Sequence, residues 1–375
     1  MRKCLKCIFL PALMALVLAI GACASPAPAP DDTTVPPIVD ANGIPIFLIT
    51  DYGGIDDGSF NQGSWEGVVA FAQARGIPHE FIQPSEVSDA EYLNAIELAV
   101  ASGAQIVVTP GFLFASALYT AQDMFPDTNF ILLDTEPAPD RDSPTRVGQN
   151  VVSIFYAEEQ SGFLAGYAAV MEGYRNLGFM GGLPVPPVIR FGHGFVEGAN
   201  YAAETLGLEP GEVSINYTYV MTFSTSPEVV VEAASWFAAG TEIIFAGAGA
   251  AGFSVFSAAE SAGASTIGVD TDQSWASPTV VTSALKELSV SVYDMLDAHF
   301  NGTFPGGTIL NYDAAINGVG LPMATSRFDN FTQEQYEEIF NRLVSGEIVV
   351  STVIPDTAQV ADANLNADLV TVNQM

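Results

Sequence analysis

From Ile44 onward, short apolar runs alternate with segments of helical chemistry, and this alternation restricts the chain to an α/β architecture built on parallel sheet. The runs at 44–50, 105–109, 130–134, 177–181, 243–246 and 265–269 read as buried strands. Between them, Ser88 with Glu91 predicts a capping box ahead of a helix over 92–101. Ser226-Pro227-Glu228 supplies an N-cap, a first-turn proline and an acid ahead of a helix over 229–239. Successive strands of this kind are joined by right-handed crossovers. A chain of 375 residues accommodates two such sheets rather than one, and a composition break at 137–146 is a candidate crossing between them. No short solenoid-type repeat is present.

The first residues stand apart from this pattern. Arg2, Lys3 and Lys6 precede an apolar run over 8–20 and then Gly21-Ala22-Cys23, the order of a secretory signal and short for a stable membrane span. Ile20-Gly21-Ala22-Cys23 also resembles a bacterial lipobox, which implies lipidation of Cys23 as the new N-terminus; an ordinary signal cut near Ala24 is the alternative. Cys4 and Cys7 fall in the removed peptide, so no disulfide framework, zinc site or cysteine nucleophile is left to the mature protein. Residues 24–43 are rich in Pro, Ala, Asp and Thr, a composition that buries no core and favours an extended, disordered tether.

The formal net charge is −32, and loss of the signal makes it more negative. Nucleic acid and anionic lipid headgroups need clustered Lys and Arg, which this chain lacks, so both are excluded as partners. The three histidines, His79, His193 and His299, are scattered without ligand spacing.

The richest loop follows the first apolar run: Asp51-Tyr52-Gly53-Gly54-Ile55-Asp56-Asp57-Gly58-Ser59-Phe60-Asn61-Gln62. Loops at the carboxyl ends of parallel strands are where open α/β sheets hold ligands. Its acids invite comparison with the calcium-binding signature of nucleoside hydrolases, Asp-Thr-Asp-x-Gly-x-Asp-Asp. Ile49 stands where the first Asp belongs and an extra residue separates Asp51 from Asp56, whereas calcium needs several oxygens converging at fixed distance. Asp56 and Asp57 read instead as first-turn acids beside an N-cap at Ser59. Neither a Gly-x-Ser-x-Gly elbow nor a phosphate loop of the Walker type occurs. The turn Gly247-Ala248-Gly249-Ala250-Ala251-Gly252 suits either close backbone approach to a ligand or a simple tight turn.

Several blocks, taken in order, resemble the basic membrane protein family of bacterial purine-nucleoside-binding lipoproteins, substrate-binding components of ABC importers. They are Gly53 to Gln62 with Trp65-Glu66-Gly67, then Glu159-Gln160-Ser161-Gly162-Phe163-Leu164-Ala165-Gly166, then Gly181-Gly182 with Ile189-Arg190-Phe191 and Gly194-Phe195. Ile267-Gly268-Val269-Asp270-Thr271-Asp272-Gln273 and Thr282-Ser283-Ala284-Leu285-Lys286 complete the set. The resemblance implies a type I periplasmic-binding-protein fold: two doubly wound parallel-sheet α/β lobes joined by a hinge, with ligand in the cleft. It implies no enzyme activity, cofactor or metal. The implied partition is 1–22 signal peptide, 23–43 lipidated tether, 44–150 with about 282–307 as the first lobe, and about 151–281 with 308–375 as the second.

Carried onto this chain, the resemblance implies that Asp51 and Asn61 hydrogen-bond a base or fix its loop, and that Phe60 stacks on the base. Asp134 faces the cleft, and Asp270 and Lys286 hold ribose hydroxyls. Lys286 falls at the start of a helix on this reading. A second aromatic opposite Phe60 is either Phe112 or Phe253. Gly249-Ala250-Ala251-Gly252 stands where the family has Gly-Gly-Thr-Gly, which places a contact from Gly249 in question. A nucleoside offers flat faces and a rim of donors and acceptors, which stacking aromatics with amide and carboxylate partners match. The expected protein is thus a monomeric, lipid-anchored, extracytoplasmic binding protein serving a permease. A sugar or signalling ligand in the same fold and a calcium-dependent hydrolase are the alternatives.

Overall fold

A computed structural model describes residues 46–140, 142–355, 359–360, 363 and 365–375. The expected signal, Cys23 and tether lie outside the described residues. The first sheet has the order β11-β5-β4-β3-β1-β2, from β1 (Ile46–Ile49), β2 (His79–Ile82), β3 (Ile106–Pro110), β4 (Asn129–Leu133), β5 (Val151–Tyr156) and β11 (Thr308–Tyr312). The second runs β12-β10-β9-β8-β6-β7-β13, from β6 (Asn176–Gly181), β7 (Val213–Tyr219), β8 (Ile243–Gly247), β9 (Ser265–Asp270), β10 (Val280–Lys286), β12 (Val319–Gly320) and β13 (Val370–Gln374). Every pair in both sheets is parallel except β10 with β12. Both sheets belong to one compact unit.

Central strands such as β1 and β3 are buried along their whole length, because parallel strands with helical crossovers are covered on both faces. These are the runs visible in the sequence. Helix chemistry is mostly as expected. Ser88 Oγ accepts from Glu91 N–H at the start of α2 (Asp89–Ala101), but the Glu91 carboxylate turns to Ser85 and Asn94, so the box is half made. Ser226 Oγ accepts from Glu228 N–H ahead of α6 (Pro227–Ala238).

Three strands change sides relative to the sequence partition. β5, assigned to the second lobe by a boundary at 151, hydrogen-bonds β4 in the first sheet. β10, most of it assigned to the first lobe from 282, pairs with β9 in the second. β11, assigned to the second lobe from 308, pairs with β5 in the first. The chain therefore crosses after Tyr156, after Lys286 and after Tyr312. The break at 137–146 is a loop within the first sheet, between β4 and β5, where Arg146 pairs with Asp123. A strand's own residues state that it pairs; the neighbouring free edge decides with whom.

Glycines set the closest helix contacts. A Cβ on Gly162 of α4 (Glu158–Glu172) would lie 2.1 Å from the Phe191 carbonyl of α5 (Pro186–Leu206), and one on Gly166 2.1 Å from that of Phe195. Reciprocally, Gly194 would meet the Glu159 carbonyl at 2.0 Å and Gly198 that of Phe163 at 2.0 Å. Two small-xxx-small pairs thus bring the helices backbone to backbone. In α1 (Phe60–Arg75), Gly67 does the same against Ser289 of α8 (Leu288–Phe300), which lies beyond the second crossing.

Candidate functional site

A cavity of ≈ 420 Å³ opens among the carboxyl ends of strands from both sheets. One wall comes from the loop after β1 with Gly111, Phe112 and Asp134. The other comes from the start of α5, a segment at 223–225, Gly249-Ala250, Asp270 and Lys286.

The Asp51–Gln62 loop is held by its own side chains. The Asp57 carboxylate accepts the N–H groups of Ser59 (2.9 Å), Asn61 (3.0 Å) and Gln62 (3.0 Å), satisfying donors that the start of α1 leaves open. Asp57 is therefore the side chain that caps α1. Ser59 occupies the N-cap position without a capping bond, and its hydroxyl instead donates to Asp270 Oδ2 at 2.5 Å. Asn61 Nδ2 donates to Asp51 Oδ1 and to Asp57 Oδ2, both at 2.9 Å, while its Oδ1 accepts from Asp51 N–H at 3.3 Å. With both amide donors engaged, Asn61 fixes the loop. Burial raises the Asp51 pKa, against the Asn61 bond that favours its charge.

The same loop docks on the second sheet. Gly58 takes φ +68°, a conformation that favours glycine, and its carbonyl accepts from Thr271 Oγ1 and Gln273 Nε2, both at 2.9 Å. A Cβ there would lie 2.4 Å from Phe253 Cζ. Phe253 thus covers Gly58, with Phe256 and Trp275 beside it, and is absent from the cavity wall. Of the two expected aromatics, Phe112 lines the cavity and Phe253 does not. Phe253 lies in the first turn of α7 (Gly252–Ala262).

Lys286 ends β10 rather than starting a helix, and its side chain is 2% exposed. Its ammonium lies 2.6 Å from Asp134 Oδ2 and 2.9 Å from Glu158 Oε1. The rings of Phe60, Tyr156 and Phe191 stand around it at 5.0, 5.2 and 5.6 Å, within cation–π range. Behind it, Arg190 Nε sits 2.6 Å from Glu158 Oε2 and 3.8 Å from Glu159 Oε2. Burial works against the Lys286 charge, yet Asp134, Glu158 and Asp270 hold its pKa above the ordinary lysine value. Burial likewise opposes the charge on Glu158, and Lys286 with Arg190 overcomes it, keeping that carboxyl low. Asp134 is pushed up to about 7 by burial, against the pull of Lys286. Glu159 is pushed up to about 7 by burial and by the neighbouring Glu158.

Asp134 (φ 61°) and Asp270 (φ 65°) are two of the few non-glycine residues with left-handed backbone among the described residues. Asp tolerates this region better than most residues, and the turn aims each carboxylate off its strand end. Asp134 Oδ1 is buried and has no hydrogen-bond partner among the described residues, an acceptor that a ligand hydroxyl would satisfy.

The cavity wall brings together Asp51, Phe60, Asn61, Phe112, Asp134, Gly249, Asp270 and Lys286. Sequence reasoning missed Phe191 and Phe223 on the same wall, and Glu158 and Arg190 behind it. Arg190 carried a signal in its rarity, since Lys and Arg together number 11 in the chain. Phe223 lies in an irregular segment with none.

Residues 45–353 match the family model of ABC transporter substrate-binding proteins, PnrA-like. The ABC transporter nucleoside-binding protein BmpA of Lactococcus lactis subsp. cremoris (strain MG1363) is 29% identical over 328 residues, 81% of this chain and 88% of that protein. An uncharacterized lipoprotein of Pyrococcus abyssi is 27% identical over 292 residues, 75% of this chain and 69% of the relative. The crystal structure of an ABC transporter system solute-binding protein from Aeropyrum pernix K1 superposes with a TM-score of 0.72 at 23% identity, covering 87% of this chain and 100% of that one. That likeness establishes the fold, a periplasmic-binding-protein-like pair of parallel-sheet α/β lobes.

Proposed function

The chain belongs to the PnrA-like ABC transporter substrate-binding proteins, a family of binding proteins and not of enzymes, and from that premise we propose that it captures purine nucleosides in the cavity between its sheets and delivers them to a membrane permease. The observation that carries this reading is the pairing of Phe60 with a buried, unsatisfied carboxylate oxygen on Asp134 in one cavity. An aromatic face suits a base, and acceptors on Asp134 and Asp270 suit ribose hydroxyls. Lys286 is already matched by carboxylates, so a neutral sugar fits better than a phosphate. The nucleoside-binding relative supports the ligand class. Phe112, Phe191 and Phe223 are the candidates for the second stacking ring.

On this reading, ligand contacts to both lobes shift the population toward a closed cleft, with the three crossings as the hinge. Cys23 anchors the protein on the extracytoplasmic face of the membrane through several acyl chains, as the relative named a lipoprotein supports. Among the described residues no helix is long and apolar enough to cross a membrane. The working form is a monomer.

Calorimetry with inosine, guanosine and adenosine is the direct test, and absence of binding to all three removes the ligand assignment. Phe60→Ala separates a nucleoside from a plain sugar: nucleoside affinity falls by about 1–3 kcal/mol if the base stacks there, and is unchanged if it does not.

A further inference from the structure

Behind the cavity, five charged side chains form an alternating chain: Asp134, Lys286, Glu158, Arg190 and Glu159. It begins just after β4 of the first sheet, passes through the end of β10 in the second, and ends at the starts of α4 and α5. Two of its members sit at crossings between the sheets, Glu158 just after the first and Lys286 at the second. Asp134 and Lys286 line the cavity; Glu158, Arg190 and Glu159 do not.

We propose that Glu158 and Arg190 are positioning residues for the ligand site, holding the Lys286 ammonium, and through it the Asp134 carboxylate, in place from behind the cavity wall. The inference rests on reading this cavity as the ligand site.

The geometry leaves these groups few alternatives. Glu158 is fully buried, so its carboxylate cannot escape to solvent and must divide itself between Lys286 at one oxygen and Arg190 at the other. Without Glu158, the ammonium retains Asp134 at contact distance and is drawn toward it and Asp270. Without Arg190, Glu158 has one cation left and competes with Asp134 for it. The backbones carrying these side chains cannot drift, because Gly162 abuts the Phe191 carbonyl and Gly194 abuts that of Glu159, on either side of the Glu158–Arg190 pair. The charged and titratable groups acting on Asp134 are Lys286 from β10, Glu158 from α4 and Arg190 from α5. Tyr156 and Asp270 face the same ammonium.

The two residues act on Asp134 with opposite sign. The negative charge of Glu158 raises the Asp134 midpoint and the positive charge of Arg190 lowers it. Glu158→Gln therefore moves that midpoint to lower pH and Arg190→Gln moves it to higher pH, a pair of opposed displacements that loss of packing does not produce.

The test uses the ligand-free protein labelled with ¹³C at aspartate carboxyls, with the Asp134 resonance assigned by its disappearance in Asp134→Asn. Opposed shifts in Glu158→Gln and Arg190→Gln are expected. In parallel, inosine, guanosine or adenosine, whichever the parent protein binds, is expected to lose more than about tenfold in affinity in both variants, with partial recovery in Arg190→Lys. Midpoints that stay put or move together overturn the proposal, as do unchanged affinities in folded variants. If the parent binds none of the three nucleosides, the functional reading fails, and the midpoints still decide whether the chain governs Asp134. Should Glu158→Gln not fold, Glu158→Asp keeps the charge and draws it back from Lys286 by one methylene. An affinity loss there supports the proposal, and parent-like affinity overturns it.

Discussion

Asp134 directly follows β4, third in the order of its sheet, and Asp270 ends β9, third in the order of the other. Both turn off the strand with left-handed backbone, both face the same cavity, and each reaches across to the opposite sheet. Their partners differ. Asp134 meets an ammonium, Lys286, and keeps one oxygen unpartnered; Asp270 meets a hydroxyl, Ser59. A buried ion pair is severely disrupted when one member is lost, because the other is left charged in a medium that cannot solvate it. A carboxylate bonded to a hydroxyl loses a bond but strands no countercharge. One sheet end is thus in direct contact with the shared cation, and the other acts on that cation only at longer range while its hydrogen bond goes to a hydroxyl.

The largest effect follows from removing the charge shared by both sides. Lys286→Met leaves Asp134 and Glu158 buried without their common cation and costs about 3–5 kcal/mol of stability in chemical denaturation. A loss under about 1 kcal/mol would mean that the network is solvated and the contrast unfounded. Next come the two aspartates themselves. Asp134→Asn is expected to destabilise by about 2–3 kcal/mol and Asp270→Asn by about 1 kcal/mol, since asparagine can still accept from Ser59. Equal losses would erase the distinction.

The pH dependence sharpens the same comparison. The folded protein holds the Asp134 proton to about 7, above the ordinary aspartate value of 3.8, so the folded state binds that proton more tightly than the unfolded chain does. Asp134 therefore makes stability fall as pH rises between about 4 and 7, and Asp134→Asn flattens that part of the profile in thermal melts at stepped pH. Raised stability slope in the variant would reverse the assignment. Ser59→Ala, which removes the same bond from the other side, is expected to match Asp270→Asn at a cost of about 1 kcal/mol in chemical denaturation.

Much of the fold was legible where strands are covered on both faces. The runs at β1, β3, β4, β6, β8 and β9 are mostly apolar because, past their first residues, they are buried on both faces. The edge strands β2, β11 and β13 were not read, since one side of each is partly exposed and their residues are correspondingly mixed. β5 and β10 escaped for another reason. They are buried but run straight into helix starts, and their sheet membership depends on pairing partners far along the chain. Among residues that line the cavity, Asp51, Phe60 and Asn61 could be grouped in advance because they share one loop. Phe112 and Phe253 could not be told apart, because a post-strand position does not state which way a ring turns; Phe112 lines the cavity and Phe253 covers Gly58.

Residue order was enough to specify two parallel α/β sheets, the loop at Asp51–Gln62 and the scarcity of positive charge that makes Lys286 informative. Those properties are local: they follow from periodicity, capping chemistry and composition. Folding assigned the partners. Asp57 rather than Ser59 became the cap of α1, Ser59 was released to reach Asp270, and Lys286 was placed between Asp134 and Glu158, with Arg190 behind it. The pairings of Ser59 with Asp270 and of Lys286 with Asp134 and Glu158 join residues more than a hundred positions apart. Their energies depend on burial and distance, quantities that exist only once the two sheets have been brought together.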